Sequence, residues 1–363
     1  MAIQEVLAKR SRGIPPSLEI EASPAHEFLL TLELIAEDEH KSEQPHEVGE
    51  QWIEMMREKA TPALLNAISE VGADACACEG FSPLIGLAYD CPPPRDVPGF
   101  LAHLEAIDPF ELRLHMFGYY QRKFRRNTPL DIMLQAAEGD EEAQQQFLRT
   151  SFPEDSRRQS LLRHLFTQDP GETKKQILDI LESGYERVFR DLEPQIMPII
   201  ERDAEAKRAL SQAISLERLV EVATNGFELV PEPGLRRVVL IPSYVERPWN
   251  HPTEYQDAKI FVYPVADESI AEDTSTPPPR LVRLIKALAD ERRLRILKML
   301  TAGSYTLQEI ANDFGAAKTT MHHHLAILRA AGLVLVQSDE KLYSLRQSSM
   351  PDINQMIDSY LKK

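Results

Sequence analysis

The chain has 363 residues, 43% hydrophobic and 27% charged, enough for two or three ordinary globular cores. No apolar run approaches the roughly 20 residues of a membrane span, and MAIQEVLAKRSRG at the start lacks an apolar stretch of signal-peptide length. Membrane insertion and secretion are therefore not expected, and three cysteines suit a reducing cytoplasm rather than a disulfide framework.

In chain order, the pattern is helical from about 24 to 225, with apolar residues three or four apart over 24–36, 47–58, 62–71, 99–107, 109–124 and 130–137. It continues over 141–150, 154–166, 172–191, 197–214 and 216–223, with turn signals at Asn127-Thr-Pro129 and Gln168-Asp-Pro-Gly171. RRVVLIP at 236–242 and KIFVYP at 259–264 are β-branched and aromatic runs bounded by proline, which marks short strands. Residues 227–230 and 18–21 are expected to pair with them, giving a small sheet beside a helical bundle. EDTSTPPP at 272–279 stops any helix and reads as a linker. The expected fold is mainly α with small β-sheets (α+β). It comprises an acidic helical domain at 1–271, the linker, a winged helix-turn-helix at 280–348 and a terminal helix at 349–363.

The net charge of −16 is unevenly spread. Residues 280–348 hold 11 Lys or Arg against 6 Asp or Glu, whereas 1–279 hold 28 against 49. A basic module on an acidic body suits a DNA-binding regulator with a separate second domain.

Residues 1–279 show no catalytic signature. There is no Gly-rich phosphate loop and no GxSxG, and neither His26-Glu27 nor His46-Glu47 has the second histidine of HExxH. Cys76, Cys78 and Cys91 lack an obvious fourth ligand, so structural cysteines are the expectation. RLHMFGYYQRKFRR at 113–126 reads as an amphipathic helix with a solvated basic end; a pocket for an anionic or aromatic ligand, or a second nucleic-acid contact, is the sharper alternative. Trp249 falls in a loop between the two strands, a weak pointer to a binding site.

Residues 306–334 carry the most information. Leu307, Ile310, Ala311 and Phe314 make one apolar stripe, and Gly315 supplies a sharp exit. Met321, Leu325 and Leu328 make a second stripe that ends at Gly332. Two short helices this close must cross over a third, and ALADERRLRILKML at 287–300 provides it through Leu294, Ile296, Leu297 and Leu300. The outer face of the second helix is left free for a major groove. Strands at 333–337 and 341–346 flank a wing tip at Ser338-Asp-Glu340.

ALADERRLRILKML, TLQEIA at 306–311, TTMHHHLAILRAAGLV at 319–334 and LYSL at 342–345 occur in order, and over 284–346 the chain resembles the ArsR-type (arsenic-repressor-like) winged helix family. The resemblance implies a transcriptional regulator, taken as a repressor, whose partner is double-stranded DNA. It places base and phosphate contacts on the outward positions Lys318, Thr319, Thr320, His322, His323 and Ala326, and phosphate contacts on Lys341 and Arg346 of the wing. Asp339 and Glu340 depart from the basic or glycine-bearing wing tip of the family, which puts the wing's role in doubt. His324 borders the buried face and is expected to pack.

Consecutive helical histidines lie 100° apart, so 322–324 cannot converge on one ion. Residues 305–310 hold no cysteine and 350–363 no histidine, so the metal-sensing role of some family members is not carried over. No metal, cofactor or catalytic residue is expected. Ile353, Met356, Ile357, Tyr360 and Leu361 give the last helix an apolar face, for which a homodimer contact is expected and docking on the chain's own acidic domain is the alternative. Two functions compete: a regulator whose large domain binds a small-molecule effector or supplies dimer contacts, and an N-terminal enzyme tethered to a DNA-binding module. Missing catalytic motifs favour the first. An acidic body, which repels neighbouring duplex, disfavours a structural DNA-organising protein.

Overall fold

The computed structural model describes residues 16–36, 46–75, 82–125, 127–152, 156–230, 232–270, 277–337, 342–346 and 349–362. Strand β1 (Ser17–Ile20) leads into helices α1 (Pro24–Ala36), α2 (Glu50–Lys59), α3 (Pro62–Ala75), α4 (Ser82–Asp90), α5 (Val97–Ala106) and α6 (Pro109–Met116). Then come α7 (Arg122–Arg125), α8 (Leu130–Glu138), α9 (Glu141–Ser151), α10 (Ser156–Thr167), α11 (Pro170–Gly184), α12 (Glu193–Ser211) and α13 (Leu216–Ala223). Aspartate followed by proline starts two of them. Asp108 accepts from the N–H groups of Phe110 and Glu111, Asp169 from those of Gly171 and Glu172, and the proline occupies the first turn, where no N–H is needed. None of the described helices is long and apolar enough to cross a membrane.

After α13 come strands β2 (Phe227–Glu228), β3 (Arg237–Ser243), β4 (His251–Tyr255) and β5 (Ala258–Pro264). The first sheet has the order β1-β3-β5-β4, with β1, β3 and β5 parallel and β4 antiparallel on the edge. Its central strands are apolar without alternation because both faces are covered. Val239, Ile241, Ile260 and Val262 pack with Leu30 and Leu34 of α1, while Val238, Leu240, Phe261 and Tyr263 belong to the cluster that continues into the C-terminal module.

That module contains α14 (Pro279–Leu288), α15 (Glu291–Leu300), β6 (Tyr305–Thr306), α16 (Leu307–Asp313), α17 (Lys318–Ala330), β7 (Val334–Gln337), β8 (Leu342–Leu345) and α18 (Ser349–Lys362). Its sheet has the order β2-β7-β8-β6, so the strand at 227–228 joins the wing rather than the sheet at 236–264. This corrects the expected pairing. The segments before and after the expected linker share a sheet and a hydrophobic cluster; residues 271–276 of that linker lie outside the described residues.

Other departures are local. The expected helix at 109–124 breaks after Met116, where Gly118 takes φ +71°. The helix at 82–90 and the strand at 251–255 had no expectation; the strand carries Pro252, which an edge position tolerates. Leu294 is exposed rather than buried on α15.

Glu27 of α1 ties the helical body to the sheet. One carboxyl oxygen accepts from the backbone N–H groups of Tyr244 and Val245, at 3.0 and 2.9 Å. Burial pushes this carboxyl up to about 7, against the pull of Ser243 and the two amides. The folded state therefore holds the proton more tightly than the unfolded chain. The stabilisation this supplies is complete below the unfolded carboxylate range and is lost as pH rises through about 7, a loss of about 3 kcal/mol. Glu27→Gln, which cannot ionise, is expected to gain stability relative to the native chain between about pH 4.5 and pH 7 and to hold that gain above it. Denaturant unfolding at a series of pH values measures the difference; a constant offset across the range would refute the assignment.

Candidate DNA-binding site

The site is built on α15, the helix that carries the reading pair. Asp290 caps it, accepting from Arg293 N–H at 2.9 Å, and Arg293 donates to the carbonyls of Ala287 and Lys286 at the end of α14. Two helices are thus joined at a fixed corner. Ile296, Leu297 and Leu300 of α15 pack with Ile310 and Ala311 of α16 and with Met321, Leu325 and Leu328 of α17.

Helix α16 begins with a reciprocal cap. Thr306 Oγ1 accepts from Glu309 N–H at 3.2 Å, and the Glu309 carboxylate accepts from Thr306 N–H at 2.8 Å. It ends at Phe314, and Gly315 at φ +56° turns the chain into α17. That helix has Ala317 at its cap position with no side-chain hydrogen bond, so no cap side chain satisfies its first N–H groups. Lys318 and Thr319 are exposed beside them, Thr320 and His323 are half-buried and His322 is exposed. These five expected residues share the start and outer side of one helix.

His324 is 9% exposed, with Nδ1 4.0 Å from Asp290, and burial pushes its imidazole below the ordinary range against the pull of that carboxylate. It packs, as expected. Ala326 is 7% exposed, so the outward position read from the helical wheel is wrong: 324, 325 and 326 are all covered.

The wing differs most. Lys341 and the tip at 338–340 lie outside the described residues. Arg346 is 7% exposed and engaged within the chain: Nε donates to Glu221 at 2.8 Å and Nη1 to the Asn225 side chain at 2.9 Å. Its expected phosphate contact is corrected to a structural one, because α13 offers a carboxylate where the resemblance implies a phosphate. Burial alone would raise the Glu221 carboxyl, but hydrogen bonds from Arg218 and Arg346 hold it below the usual range.

In the body, Cys76 and Cys78 fall outside the described residues, and Cys91 is buried. No group of three or more His, Cys, Asp or Glu among the described residues could hold a metal ion. The basic, aromatic stretch at 113–126 is mostly used internally. Phe117 and Phe124 are buried, Arg113 donates to the carbonyls of Ala137 and Gln168, and Arg122 lies between Glu232 and Glu254.

A family model described as the arsR family of bacterial regulatory proteins matches residues 290–335. The transcriptional repressor SdpR of Bacillus subtilis is 35% identical over 81 residues, which are 21% of this chain and 87% of that protein. The chain belongs to the ArsR family. The transcriptional activator HlyU of Vibrio cholerae is 33% identical over 79 residues, 22% of this chain and 72% of its own length. No solved structure matches the chain significantly. As an ArsR-family member, the protein is a DNA-binding transcriptional regulator.

In this family member the module reaches beyond its own segment. β2 runs parallel to β7, with Phe227 opposite Val336 and Glu228 opposite Gln337. Asn225 donates to the carbonyl of Ala330 at the end of α17, and Arg329 lies 4.9 Å from the Phe227 ring. Asn225, Phe227 and Glu221 were not expected at the module. The helix ending at 223 was visible, but nothing local named its partner.

Arg346→Ala is expected to lower unfolding stability by about 1–3 kcal/mol, since it leaves Glu221 and Asn225 short of a charged partner. The salt slope of DNA binding should be unchanged, as the side chain meets no phosphate. A thermal melt and a salt titration separate the two roles; a flatter salt slope would restore Arg346 to the interface.

Proposed function

We propose that the protein is a homodimeric, cytoplasmic repressor that reads its operator with α17, through Lys318, Thr319, Thr320, His322 and His323. The observation that carries the reading is the exposed first turn of this helix, where Lys318 and Thr319 stand beside uncapped backbone N–H groups. Lys318 and those N–H groups suit a phosphate; the threonines and histidines suit base edges. Repression follows if the dimer occupies a promoter and occludes it, and the name of one relative supports that sign.

The test is binding to duplex from upstream of the protein's own gene, read by fluorescence anisotropy against a scrambled duplex. Lys318→Ala combined with His322→Ala is expected to weaken specific binding at least tenfold, in line with about 1–3 kcal/mol per well-made base contact. Intact specific binding would remove α17 from the reading role.

Two half-sites need two reading heads. Leu361 of α18 is 74% exposed and Ile285 of α14 is 49% exposed, and the two helices pack together, so apolar surface of both helices faces outward. A second copy covers it in this reading. Leu361→Asp is expected to shift the protein to monomer in analytical ultracentrifugation and to weaken operator binding with it. A native chain that sediments as a monomer at micromolar concentration would refute the dimer.

Control belongs to the large domain in this proposal. A groove of about 590 Å³ between α3 and α11, with Leu64, Ala67 and Ile180 at its apolar part and Lys175, Asp179 and Arg187 among its charges, is where we place a small-molecule effector.

A further inference from the structure

We propose that Arg292 and Arg295 of α15 grip the DNA backbone beside the reading helix, supplying phosphate contacts that Arg346, engaged with Glu221 and Asn225, does not. The inference rests on the DNA-reading role of α17 and asks which other cations meet the duplex.

The cations of the module sort themselves by what they touch. Arg283 is bound to Glu47, Arg293 to the carbonyls that end α14, and Arg346 to Glu221 and Asn225. Arg329 lies over Phe227, and Arg280 is half-buried, its backbone N–H held by Asp267. Among the described residues of 280–346, the exposed cations are Lys286, Arg292, Arg295, Lys298 and Lys318. Only Lys318 lies on the reading helix. One exposed lysine is a small electrostatic footprint for a chain of net charge −16 that must approach a polyanion.

Lys286 lies on α14, and geometry selects two of the three on α15. At about 100° per residue, Arg292 and Arg295 are roughly 60° apart on one shoulder of α15, with Lys298 roughly 60° further round beside Leu294. The shoulder with the arginines faces the reading pair. The Arg295 guanidinium lies 5.0 Å from the Phe314 ring, at the residue that closes α16 just before the turn into α17. The charge of Arg292 is close enough to bear on the imidazole of His324 in α17. Glu291 is exposed on the same helix and Asp290 is half-buried at its cap, so two carboxylates stand against the exposed Arg292, Arg295 and Lys298. A guanidinium laid on an aromatic ring keeps its outer N–H edge free and is held in direction, which suits two-point contact with a phosphate.

The test uses the full-length protein with the operator duplex and a scrambled duplex, over about 50 to 300 mM salt. Arg292→Ala and Arg295→Ala are each expected to weaken both duplexes by a similar factor, about 3- to 10-fold near 150 mM. Each should also flatten the log–log salt slope by about 0.9. Arg292→Lys and Arg295→Lys should recover most of the slope, because the charge remains. Lys298→Ala should match the native chain, and thermal melts confirm that each variant is folded. Native affinity and slope in both alanine variants, with specific binding still lost in the Lys318→Ala, His322→Ala protein, would overturn this proposal and leave the reading helix in place. Equal losses from Lys298→Ala would overturn it too, by reducing the effect to overall charge. A native protein that binds neither duplex would instead refute the DNA-reading role itself.

Discussion

The pairing of β2 with β7 is the constraint on which the arrangement of the molecule turns. A two-residue strand from the body lies parallel to the first strand of the wing, and Val336 N–H donates to the Gly226 carbonyl at 2.8 Å. Such a close approach needs bare backbone. A Cβ on Gly226 would lie 2.6 Å from the Val334 carbonyl oxygen, and one on Gly332 would lie 2.3 Å from the Asn225 side chain. Both glycines also hold positive φ, at +137° and +69°. With the strand in place, Arg329 stacks on Phe227 and Arg346 reaches Glu221, so two cations of a basic module are committed to the body. The wing gains a strand, and its Arg346 is tied to the body at the same place.

A second anchor holds the other end of the module. Arg247 is buried and pairs with Glu47 at 2.8 Å and with Asp267. Glu47 also binds Arg283 of α14, and Asp267 accepts from Arg280 N–H at 2.8 Å at the start of that helix. Each carboxylate therefore serves the body with one contact and the module with another. Removing either would leave a buried guanidinium short of charge, which is far more costly than losing a surface ion pair. Between the anchors, the sheet presents one face to the helical bundle and the other to the cluster that includes the module core. The reading head is thus packed against the body rather than strung on a tether. Packed contact of this kind is one physical route by which a site in the body can be coupled to α17.

Much of the module was legible in its residues because its determinants are local. The apolar spacing at 307–314 and 321–328, the reciprocal Thr306 and Glu309, and the glycines at 315 and 332 each act within a few residues. The packed histidine was readable for the same reason, since a helical wheel puts 324 beside 321, 325 and 328. The body yielded its helices but not their arrangement. The break at Gly118 was invisible because the stripe of aromatic residues runs on across it. The proline-bearing strand at 251–255 was hidden because only its edge position makes proline tolerable.

The amino-acid sequence by itself determined the helix-turn-helix, the family to which it belongs, and the two runs that form the centre of the first sheet. Tertiary structure alone decided where Phe227–Glu228 pairs, which cations remain free, and that the segments on both sides of the linker share a core. The physical reason is the range of the interactions. A helix is specified by contacts three and four residues apart, whereas a two-residue strand carries no register of its own and takes whichever edge is open. An arginine in a wing has the same local pattern whether its partner is a phosphate or, as for Arg346, a carboxylate 125 residues earlier in the chain.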